Sequence, residues 1–459
     1  MNAGDQRLVI ASGRSSGLAL PAASRFLHWF TVGLIVPVLN LLLLSRGLDL
    51  AGIGLATAIY SGVIVVLELP TGIFADLVGR KRTYLVSLAI AGVGYSALAA
   101  APTALAAAPS ATAAATVMAL VALGVARAFS SGSIEALFID RFIAARGAEK
   151  LHALTSVLNV AEAAGLALGA FAGGWIPILW ESLAPAAGRY GGNAIAQLAL
   201  TGLQALLVSV GVRADRVRAD RVRADGQDGA KGPADPGRPG SPDGRSAGTR
   251  GRLASFVRDS TRFVAGNRIV MVLLGAAAAW GLCFSAVELL WQPRLEALLG
   301  SADSSWIFGA LSSGYFLAAV AGSAVAPFIA GRTRLPVPRL LALLRLLNGV
   351  FMALFALQGG VAGFAVLYLA MFSFNGMAGP SESALLNREI PGEKRASILS
   401  LASLCLQLGG MTGALAFGLI AAVASIPAAL VAAGLVFSLS AALYLLADRP
   451  RRGESSGQE

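Results

Sequence analysis

Apolar residues are gathered along this chain into long uninterrupted stretches, and polar residues lie in the shorter segments between them. A helix needs roughly 20 apolar residues to cross a bilayer core, and stretches of about that length recur from end to end. They predict membrane spans at residues 25–45, 51–75, 83–101, 111–138, 152–178, 190–212, 268–291, 304–330, 338–358, 361–386, 397–423 and 426–447. The pattern therefore predicts an all-α integral membrane protein with twelve transmembrane helices in two pseudo-symmetric six-helix bundles.

One long polar segment separates the sixth predicted span from the seventh. It opens with a repeat of Val-Arg-Ala-Asp-Arg from Val212 and continues through Pro, Gly, Ser and Asp, a composition too polar to pack a core. Apolar and arginine residues then alternate over 252–264, which suits an amphipathic helix at the membrane surface or a frayed entry into the next span. The expected organisation is a tail (1–24), a first bundle (25–212), a linker (213–267), a second bundle (268–447) and a tail (448–459).

Composition supports lipid as the solvent of this chain. Hydrophobic residues make up 56% and charged residues 13%, whereas soluble domains carry about a quarter charged residues. The net charge of +11 first suggests nucleic acid as a partner. The basic residues, however, follow the predicted topology: three arginines (Arg46, Arg189 and Arg294) fall in the external loops and 31 of the 36 Lys and Arg fall in the cytoplasmic segments. This asymmetry predicts a cell-membrane protein with both termini cytoplasmic, and it argues against nucleic acid binding.

Few residues have the chemistry of an enzyme site. The two cysteines, Cys283 and Cys405, lie in apolar segments without metal-ligand spacing, and the two histidines, His28 and His152, have no metal-ligand neighbours. No Walker loop occurs, so ATP-driven pumping is unsupported. We therefore expect no metal, no cofactor and no catalytic residue.

The two halves share a short repeat. Glu135-Ala-Leu-Phe-Ile-Asp140-Arg141, at the inner end of the fourth span, matches Glu382-Ser-Ala-Leu-Leu-Asn-Arg388 at the inner end of the tenth. The same position in both halves indicates a duplication. Glu135 and Glu382 then suit a gate or a salt bridge better than direct contact with substrate.

The loop after the second span carries the most specific motif. Gly72-Ile-Phe-Ala-Asp76-Leu-Val-Gly79-Arg80-Lys81-Arg82 resembles the G-x-x-x-D-x-x-G-R-[RK] signature of the major facilitator superfamily, at the expected place. Gly72 would allow close helix approach, Asp76 would face the amino end of a neighbouring helix, and Gly79 would form a left-handed cap. Arg80 and Lys81 would stay in water or meet a carboxylate or a lipid phosphate. The alternative is a basic turn that only obeys the positive-inside rule.

The resemblance covers nearly the whole chain outside the tails and the linker. It implies a gate on the cytoplasmic side that joins the two halves and releases during transport. The residues assigned to this gate are Gly72, Asp76, Gly79, Arg80, Lys81, Glu135, Asp140 and Glu382.

Two further motifs match the family in part. Arg127 in the fourth span is similar to the R-x-x-x-G motif linked to proton transfer, but its glycine, Gly132, comes one residue late. Arg127 is either a cavity residue or half of a structural salt bridge. In the fifth span, residues 165–174 resemble the G-x-x-x-G-P-x-x-G-G pattern of drug–proton antiporters, with Ala170 in place of proline. The same small residues also suit tight helix packing.

Ionisable residues inside spans usually face a cavity or a partner. Glu162 is expected nearest to mid-membrane, one turn from Asn159, and is the first candidate to carry a proton. Glu288 is placed in the outer part of the seventh span, where it would line the external mouth, and Glu68 belongs either to the gate or to a proton path. The candidate cavity and coupling residues are Glu68, Arg127, Asn159, Glu162 and Glu288, with Asn40 and Gln204 as weaker ones.

Two interpretations concern residues near the inner face. We expect His28 and His152 to be solvated or to face headgroups, and Arg345 to extend to the inner surface.

These observations predict a secondary active transporter that works by alternating access, with proton-coupled efflux of an amphipathic drug or metabolite favoured. The alternatives are an uptake permease for a small nutrient and a transporter-like receptor that binds without transport. The expected partners are a small-molecule substrate, protons and membrane lipids, and the expected state is a monomer.

Overall fold

A computed structural model describes residues 17–100, 109–184, 188–212, 264–300, 304–333, 335–390 and 395–447. The carboxyl tail, most of the amino tail and most of the linker, with the predicted amphipathic helix, lie outside the described residues. The regular structure in the described ranges is helical, with fifteen α-helices and one short 3-10 turn at Ala148–Lys150.

The helices of the first bundle are α1 (Ala19–Gly33), α2 (Leu39–Ser45), α3 (Leu50–Val78), α4 (Arg80–Ala100), α5 (Pro109–Ser130), α6 (Ile134–Arg146), α7 (Leu151–Leu183) and α8 (Gly191–Gly211). Those of the second bundle are α9 (Arg268–Leu299), α10 (Ser305–Arg332), α11 (Val337–Ala356), α12 (Val361–Glu389), α13 (Arg395–Val423), α14 (Ile426–Leu439) and α15 (Ala441–Ala447).

The predicted spans correspond to these helices in chain order. Within the described ranges, 11 helices are long and apolar enough to cross a membrane, with α5 and α6 counted as one and the last running through α14 and α15. The predicted first span forms two shorter helices instead, α1 and α2. The twelve-helix membrane fold is confirmed.

Pro37 explains the interruption of the first span. Proline has no N–H to donate and its ring clashes with the carbonyl four residues earlier, so the helix stops at Gly33. Residues 34–38 form tighter turns, with the Val36 N–H bonded to the Gly33 carbonyl at 3.1 Å. The carbonyls of Leu34 and Val36 are thereby free to accept bonds from side chains elsewhere.

The fourth span is also interrupted. Gly132 adopts φ +66° between α5 and α6, a conformation in which a Cβ would be strained. The helix then continues to Arg146, beyond the predicted boundary, and carries Glu135 and Asp140 past the break.

Helix packing follows the pseudo-symmetry that the repeat predicts. In the first bundle α1 packs on α7, α3 on α5 and α4 on α8; in the second, α9 packs on α13, α10 on α12 and α11 on α14. Each of these pairs occupies the same positions in its own half. The bundles meet through α3 on α13 and α7 on α10, which are again equivalent pairs. Two related six-helix units therefore join across a two-fold arrangement.

Two ends of the molecule are named by their residues. The linker end carries Val78, Gly211, Arg268 and Arg332, and the opposite end carries Ser45, Leu183, Leu299 and Val423. The large side chains exposed around the bundles are mainly Leu, Val, Ile, Phe and Trp, as expected of a surface that faces lipid.

Candidate functional site: a cavity between the bundles

A cavity of about 470 Å³ lies at the junction of the two bundles. Most of its wall comes from α1, α3, α4 and α5, whereas the second bundle contributes Glu288 of α9 and Gln407 of α13. Trp29, Tyr60 and Tyr95 give the wall an aromatic character, among leucine and isoleucine side chains. The volume lies in the range of pockets that hold drug-sized ligands.

Side-chain hydrogen bonds join the two bundles near the opposite end. The Asn40 side chain donates to the Glu288 carbonyl at 2.6 Å, and the Asn40 N–H donates to Gln292 Oε1 at 3.1 Å. Gln292 Nε2 donates in turn to the Val36 carbonyl, which the break at Pro37 leaves free. Asn40 is buried, so the structure gives it a role in joining the bundles although it was predicted to line the cavity.

Glycines bring the two backbones together in the same region. A Cβ on Gly174 would stand 2.6 Å from the Gly309 Cα, and one on Gly54 would overlap the Ala414 carbonyl. Ser305 Oγ donates to the Gly174 carbonyl at 2.9 Å. These contacts all lie in the half of the molecule nearer the opposite end, so the described bundles are closed there.

A smaller cavity of about 140 Å³ extends toward the linker end. It shares His28, Trp29, Arg127 and Ser130 with the central cavity and continues to Glu135. The polar residues of α1, α5 and α6 therefore lead from the central cavity toward the end that carries the linker.

Three charged side chains of the first bundle form one cluster. Arg25 of α1 donates to Glu135 of α6 at 2.8 Å and to Glu162 of α7 at 2.6 Å. Two carboxylates thus share one guanidinium, and the cluster links the first, fourth and fifth spans. Both glutamates were predicted as site residues, whereas Arg25 was not, because it lies at the predicted edge of the first span.

The second bundle has a counterpart of this cluster. Arg345 of α11 lies 3.3 Å from Glu382, and it also donates to the Ala276 carbonyl at 2.9 Å. The Tyr444 hydroxyl donates to the same glutamate, and the guanidinium lies over the rings of Phe437 and Tyr444. Arg345 is buried, so the expectation that it extends to the inner surface was wrong: Glu382 and aromatic faces hold it inside the bundle.

The basic residues of the loop motif bond to other helices of the first bundle. Arg80 forms an ion pair of 2.6 Å with Asp140, and Lys81 donates to the carbonyls of Ser209 and Val212 at the end of α8. Arg80 and Asp140, both assigned to the gate, are therefore in contact. The lysine neutralises the partial negative charge at a helix carboxyl terminus.

The motif's glycines differ from each other. Gly79 ends α3 at φ +100° and ψ 138°, a positive φ that favours glycine, but the ψ is not that of a left-handed helix, so the predicted left-handed cap does not form. Gly72 has no atom within 4 Å of a Cβ position, so the predicted close helix approach is wrong for this conformation. The side chain of Asp76 lies outside the described residues.

Arg127 and Glu288 face the central cavity from different bundles. Both side chains are exposed there, and neither pairs with an opposite charge among the described residues. The Arg127 guanidinium lies 5.8 Å from the Trp29 ring. Of the two interpretations of Arg127, the structure supports the cavity residue. Glu288 lies deeper than the external mouth at which the sequence placed it.

Two other candidates are exposed away from the cluster. Glu68 lies on α3, and Asn159 lies on the face of α7 that meets the second bundle three turns later at Ala170. Asn159 lies nearer the linker end than the contact of α7 with α10 at Ala170 and Gly174. Glu162, one turn on, instead reaches Arg25.

A row of buried amides on α8 was not assigned to packing from the sequence. Asn193 donates to the Leu34 and Gly173 carbonyls at 2.7 and 2.8 Å, and Gln197 donates to the Thr31 carbonyl at 3.1 Å. Gln204, a weaker cavity candidate, is also buried and bonds Ser24 and Tyr84, so that interpretation was wrong. These amides hold the first span against α8 because each donates a hydrogen bond to a carbonyl or hydroxyl group inside the bundle.

His28 belongs to the same polar network. Its Nδ1 lies 3.2 Å from the Tyr84 hydroxyl, which also accepts from Gln204. His28 is half-buried and lines both cavities, so the expectation of a solvated histidine at a helix end was wrong. His152 is exposed as expected.

The glycines of the fifth span serve packing. Gly165, Gly169 and Gly173 lie against the backbone of α1, where a Cβ would overlap the carbonyls of Phe26, Phe30 and Leu34. Four-residue spacing places them on one helix face and lets the two helices approach closely. This contact accounts for the small residues whichever direction transport takes.

Two six-helix units around a central cavity, joined at one end by contacts between the units, are the architecture of a multi-pass membrane transporter fold. The family model described as Major Facilitator Superfamily matches residues 22–379. The chain belongs to the Major Facilitator Superfamily.

Solved structures of low sequence identity share this fold. The nucleoside transporter NupG is 14% identical with a TM-score of 0.68, over 94% of this chain and 99% of that one. A bacterial homolog of the human lysosomal transporter Spinster, in an inward-facing and unoccupied conformation, is 14% identical with a TM-score of 0.68, over 94% and 96%. The peptide transporter POT in complex with sulfate is 15% identical with a TM-score of 0.60, over 94% and 93%. Comparison with curated proteins finds no match.

Proposed function

We propose that this protein is a proton-coupled secondary transporter that exports an amphipathic small molecule across the cell membrane by alternating access. The central cavity carries the proposal: it has the volume of a drug-sized ligand and lies where the two bundles meet. The bundles rock about this site, so that it opens first to one side of the membrane and then to the other.

The charge distribution supports an orientation with the linker end in the cytoplasm. Arg80, Lys81 and Arg82 lie at that end, as does the arginine-rich linker. The hydrogen bonds of Asn40 and the contact of Gly174 with Gly309 then close the external side. In this orientation the described conformation faces inward, which is the state in which an exporter takes up its cargo.

The Arg25 cluster supports coupling to protons. One guanidinium between two carboxylates balances only one of them, so protonation of either glutamate leaves a neutral pair. Glu162 is the proposed proton carrier because α7, which holds it, also contacts the second bundle at Gly174. A change at Glu162 is thereby transmitted through one rigid helix to the junction of the bundles.

The walls of the cavity support an amphipathic cargo. Trp29, Tyr60, Tyr95 and several leucines offer apolar contact, and polar side chains such as Arg127 and Glu288 lie beside them. Such a cavity suits an amphipathic drug or metabolite better than a sugar, which requires many hydrogen-bonding partners.

Proteoliposomes that trap a pH-sensitive dye test the transport mechanism. An outwardly directed proton gradient is imposed and a panel of amphipathic compounds is added outside. We expect at least one compound to accelerate proton release from vesicles with the protein but not from empty vesicles. Binding without any movement of compound or protons would identify a receptor instead.

Direction is tested in cells. Cells that express the protein should accumulate less of a transported fluorescent compound than cells without it, and a protonophore should remove the difference. Higher accumulation in the expressing cells would identify an uptake permease.

A further inference from the structure

The central cavity contains two opposite charges that the described protein leaves without counter-ions. Arg127 projects from α5 of the first bundle and Glu288 from α9 of the second, and both line the same cavity. Both are exposed to that space, and neither makes a salt bridge with a described residue.

The charged side chains of the two clusters nearer the linker end are already paired. Glu135 and Glu162 share Arg25, and Glu382 is held by Arg345. The contrast is informative because an uncompensated charge inside a membrane protein is costly unless water or a ligand meets it. Arg127 and Glu288 are therefore the charges that remain available to a bound molecule.

The two charges lie at different depths. Arg127 is beside Trp29, and Glu288 is beside Asn40, whose side chain bonds its backbone. Trp29 and Asn40 lie on opposite sides of the break in the first span, in α1 and α2. The two charges therefore enter the cavity at separate positions, so a ligand that meets both must be elongated.

Much of the cavity wall is apolar and aromatic. Tyr60 and Tyr95 line it, with Leu120 and Leu123 from α5. This surface complements a flat or elongated apolar body and offers no third charge to it.

We propose that the cavity binds an amphipathic zwitterion, with its anionic group on Arg127, its cationic group on Glu288 and its apolar body against Tyr60 and Tyr95. The inference rests on the proposed transport function and names the substrate class of that site. A ligand with only a positive charge would leave Arg127 without a counter-ion and would be repelled by it. A ligand with only a negative charge would leave Glu288 without a counter-ion. Only a ligand with both groups compensates both charges at once.

Four compounds with one rigid skeleton test this proposal. The zwitterion is 4′-(aminomethyl)biphenyl-4-carboxylate, its methyl ester carries only the positive charge, and 4′-methylbiphenyl-4-carboxylate carries only the negative charge. The methyl ester of the last compound is neutral. Their dissociation constants are measured by calorimetry with the purified full-length protein in detergent.

We expect the zwitterion to bind at least about tenfold more tightly than either singly charged compound. Arg127→Gln should remove the preference for the carboxylate and keep the preference for the amine. Glu288→Gln should do the reverse. Arg146→Gln and Glu181→Gln, which change charge at exposed positions outside the cavity, should leave the order of affinities unchanged.

Equal affinities across the four compounds, absence of binding by the zwitterion, or an equal loss for every compound in both cavity variants would overturn the proposal. The folding of each variant is checked separately by its Tm in detergent. Transport is a separate readout: zwitterion selectivity without flux in proteoliposomes would contradict the transporter and keep the binding site. Flux of amphipathic compounds with no dependence on Arg127 or Glu288 would contradict the binding site and keep the transporter.

Discussion

Each bundle holds one glutamate of the internal repeat against an arginine from another span. Glu135 meets Arg25 of the first span, whereas Glu382 meets Arg345 of the ninth. The repeat therefore preserves the carboxylate while its partner comes from non-equivalent spans. The first cluster has a second carboxylate, Glu162, and the second has the Tyr444 hydroxyl, so only the first bundle contains two groups that compete for one cation.

Replacing Glu162 by glutamine removes one of the two competitors. Arg25 then stays paired with Glu135, and the cluster no longer responds to a proton at Glu162. We expect Glu162→Gln to abolish proton-coupled flux in proteoliposomes while expression and ligand binding persist. Glu181→Gln, on the same helix but at the opposite end, is the matched control. Unchanged coupling in Glu162→Gln would remove this residue from the mechanism.

Arg345 is expected to stabilise the second bundle. Arg345→Met removes the guanidinium that donates to the Glu382 carboxylate and to the Ala276 carbonyl, and leaves the Tyr444 hydroxyl as the donor to Glu382. Loss of one partner of a buried pair costs several kcal/mol, but the glutamate side chain is 33% exposed, so we expect roughly 2 kcal/mol. The measurement is Tm in detergent.

The control for Arg345 is Arg332→Met, at an exposed position where the side chain lies over Phe328. The double variant Arg345→Met with Glu382→Gln should lose less than the sum of the two single changes, since both disrupt one interaction. A Tm equal to that of the wild type in Arg345→Met would contradict the stabilising role.

At the scale of residues, the charged groups inside the spans could be predicted from the sequence, but their ion-pair partners could not. A charged residue within an apolar stretch can be recognised from the sequence alone, and this is how Glu162, Arg127 and Glu288 were identified. Arg25 and the burial of Arg345 were missed, since pairing depends on which helices are neighbours and on the direction of each side chain. Spacing along the chain does not contain that information.

At the scale of helices, the break in the first span shows how one residue of the sequence produces a contact between the bundles. Pro37 frees backbone carbonyls within the membrane, where no water can satisfy them. Asn193 of α8 takes the Leu34 carbonyl, and Gln292 of the second bundle takes the Val36 carbonyl. One proline thus makes possible a hydrogen bond within the first bundle and another between the two bundles.

A methyl-bearing side chain at the junction of the bundles should prevent their closure at the opposite end. Gly309 lies against the Phe171 and Ala170 carbonyls and the Gly174 Cα. We expect Gly309→Val to separate the bundles there, which raises the reaction of an external thiol reagent with a cysteine placed at Ser305, in a background where Cys283 and Cys405 are replaced by serine. Transport should fall in the same variant.

Gly202→Val is the matched control, because Gly202 is a helical glycine of α8 with no atom within 4 Å of a Cβ position. It should keep both the reactivity and the transport of the wild type. Equal behaviour of Gly309→Val and Gly202→Val would show that the contact does not govern closure.

Hydropathy located the helices because a membrane span is long and continuous, but it did not locate their interruptions. Gly132 and Pro37 each break a span, yet similar residues inside other helices do not: Pro70 and Pro293 lie within α3 and α9. Tertiary contacts that satisfy the freed backbone groups decide which proline ends a helix, and a local pattern does not include them.

At the scale of the whole molecule, two halves with the same internal packing meet through equivalent pairs, α3 with α13 and α7 with α10. The number of spans, their order and the duplication were predictable, because six apolar stretches on each side of a polar linker leave little choice. The conformation was not, since the proposed alternating-access mechanism requires one sequence to fit both an inward-open and an outward-open arrangement.

Electron–electron distance measurements between spin labels in liposomes test alternating access most directly. One pair joins Arg146 to Arg388 at the linker end, and another joins Leu183 to Val423 at the opposite end, on a chain whose two cysteines are replaced by serine. We predict two distances for each pair, whose populations shift in opposite directions at the two ends when the buffer is acidified. A single unchanged distance at both ends, or a shift of the same sign at both, would contradict a cavity that opens alternately to the two sides.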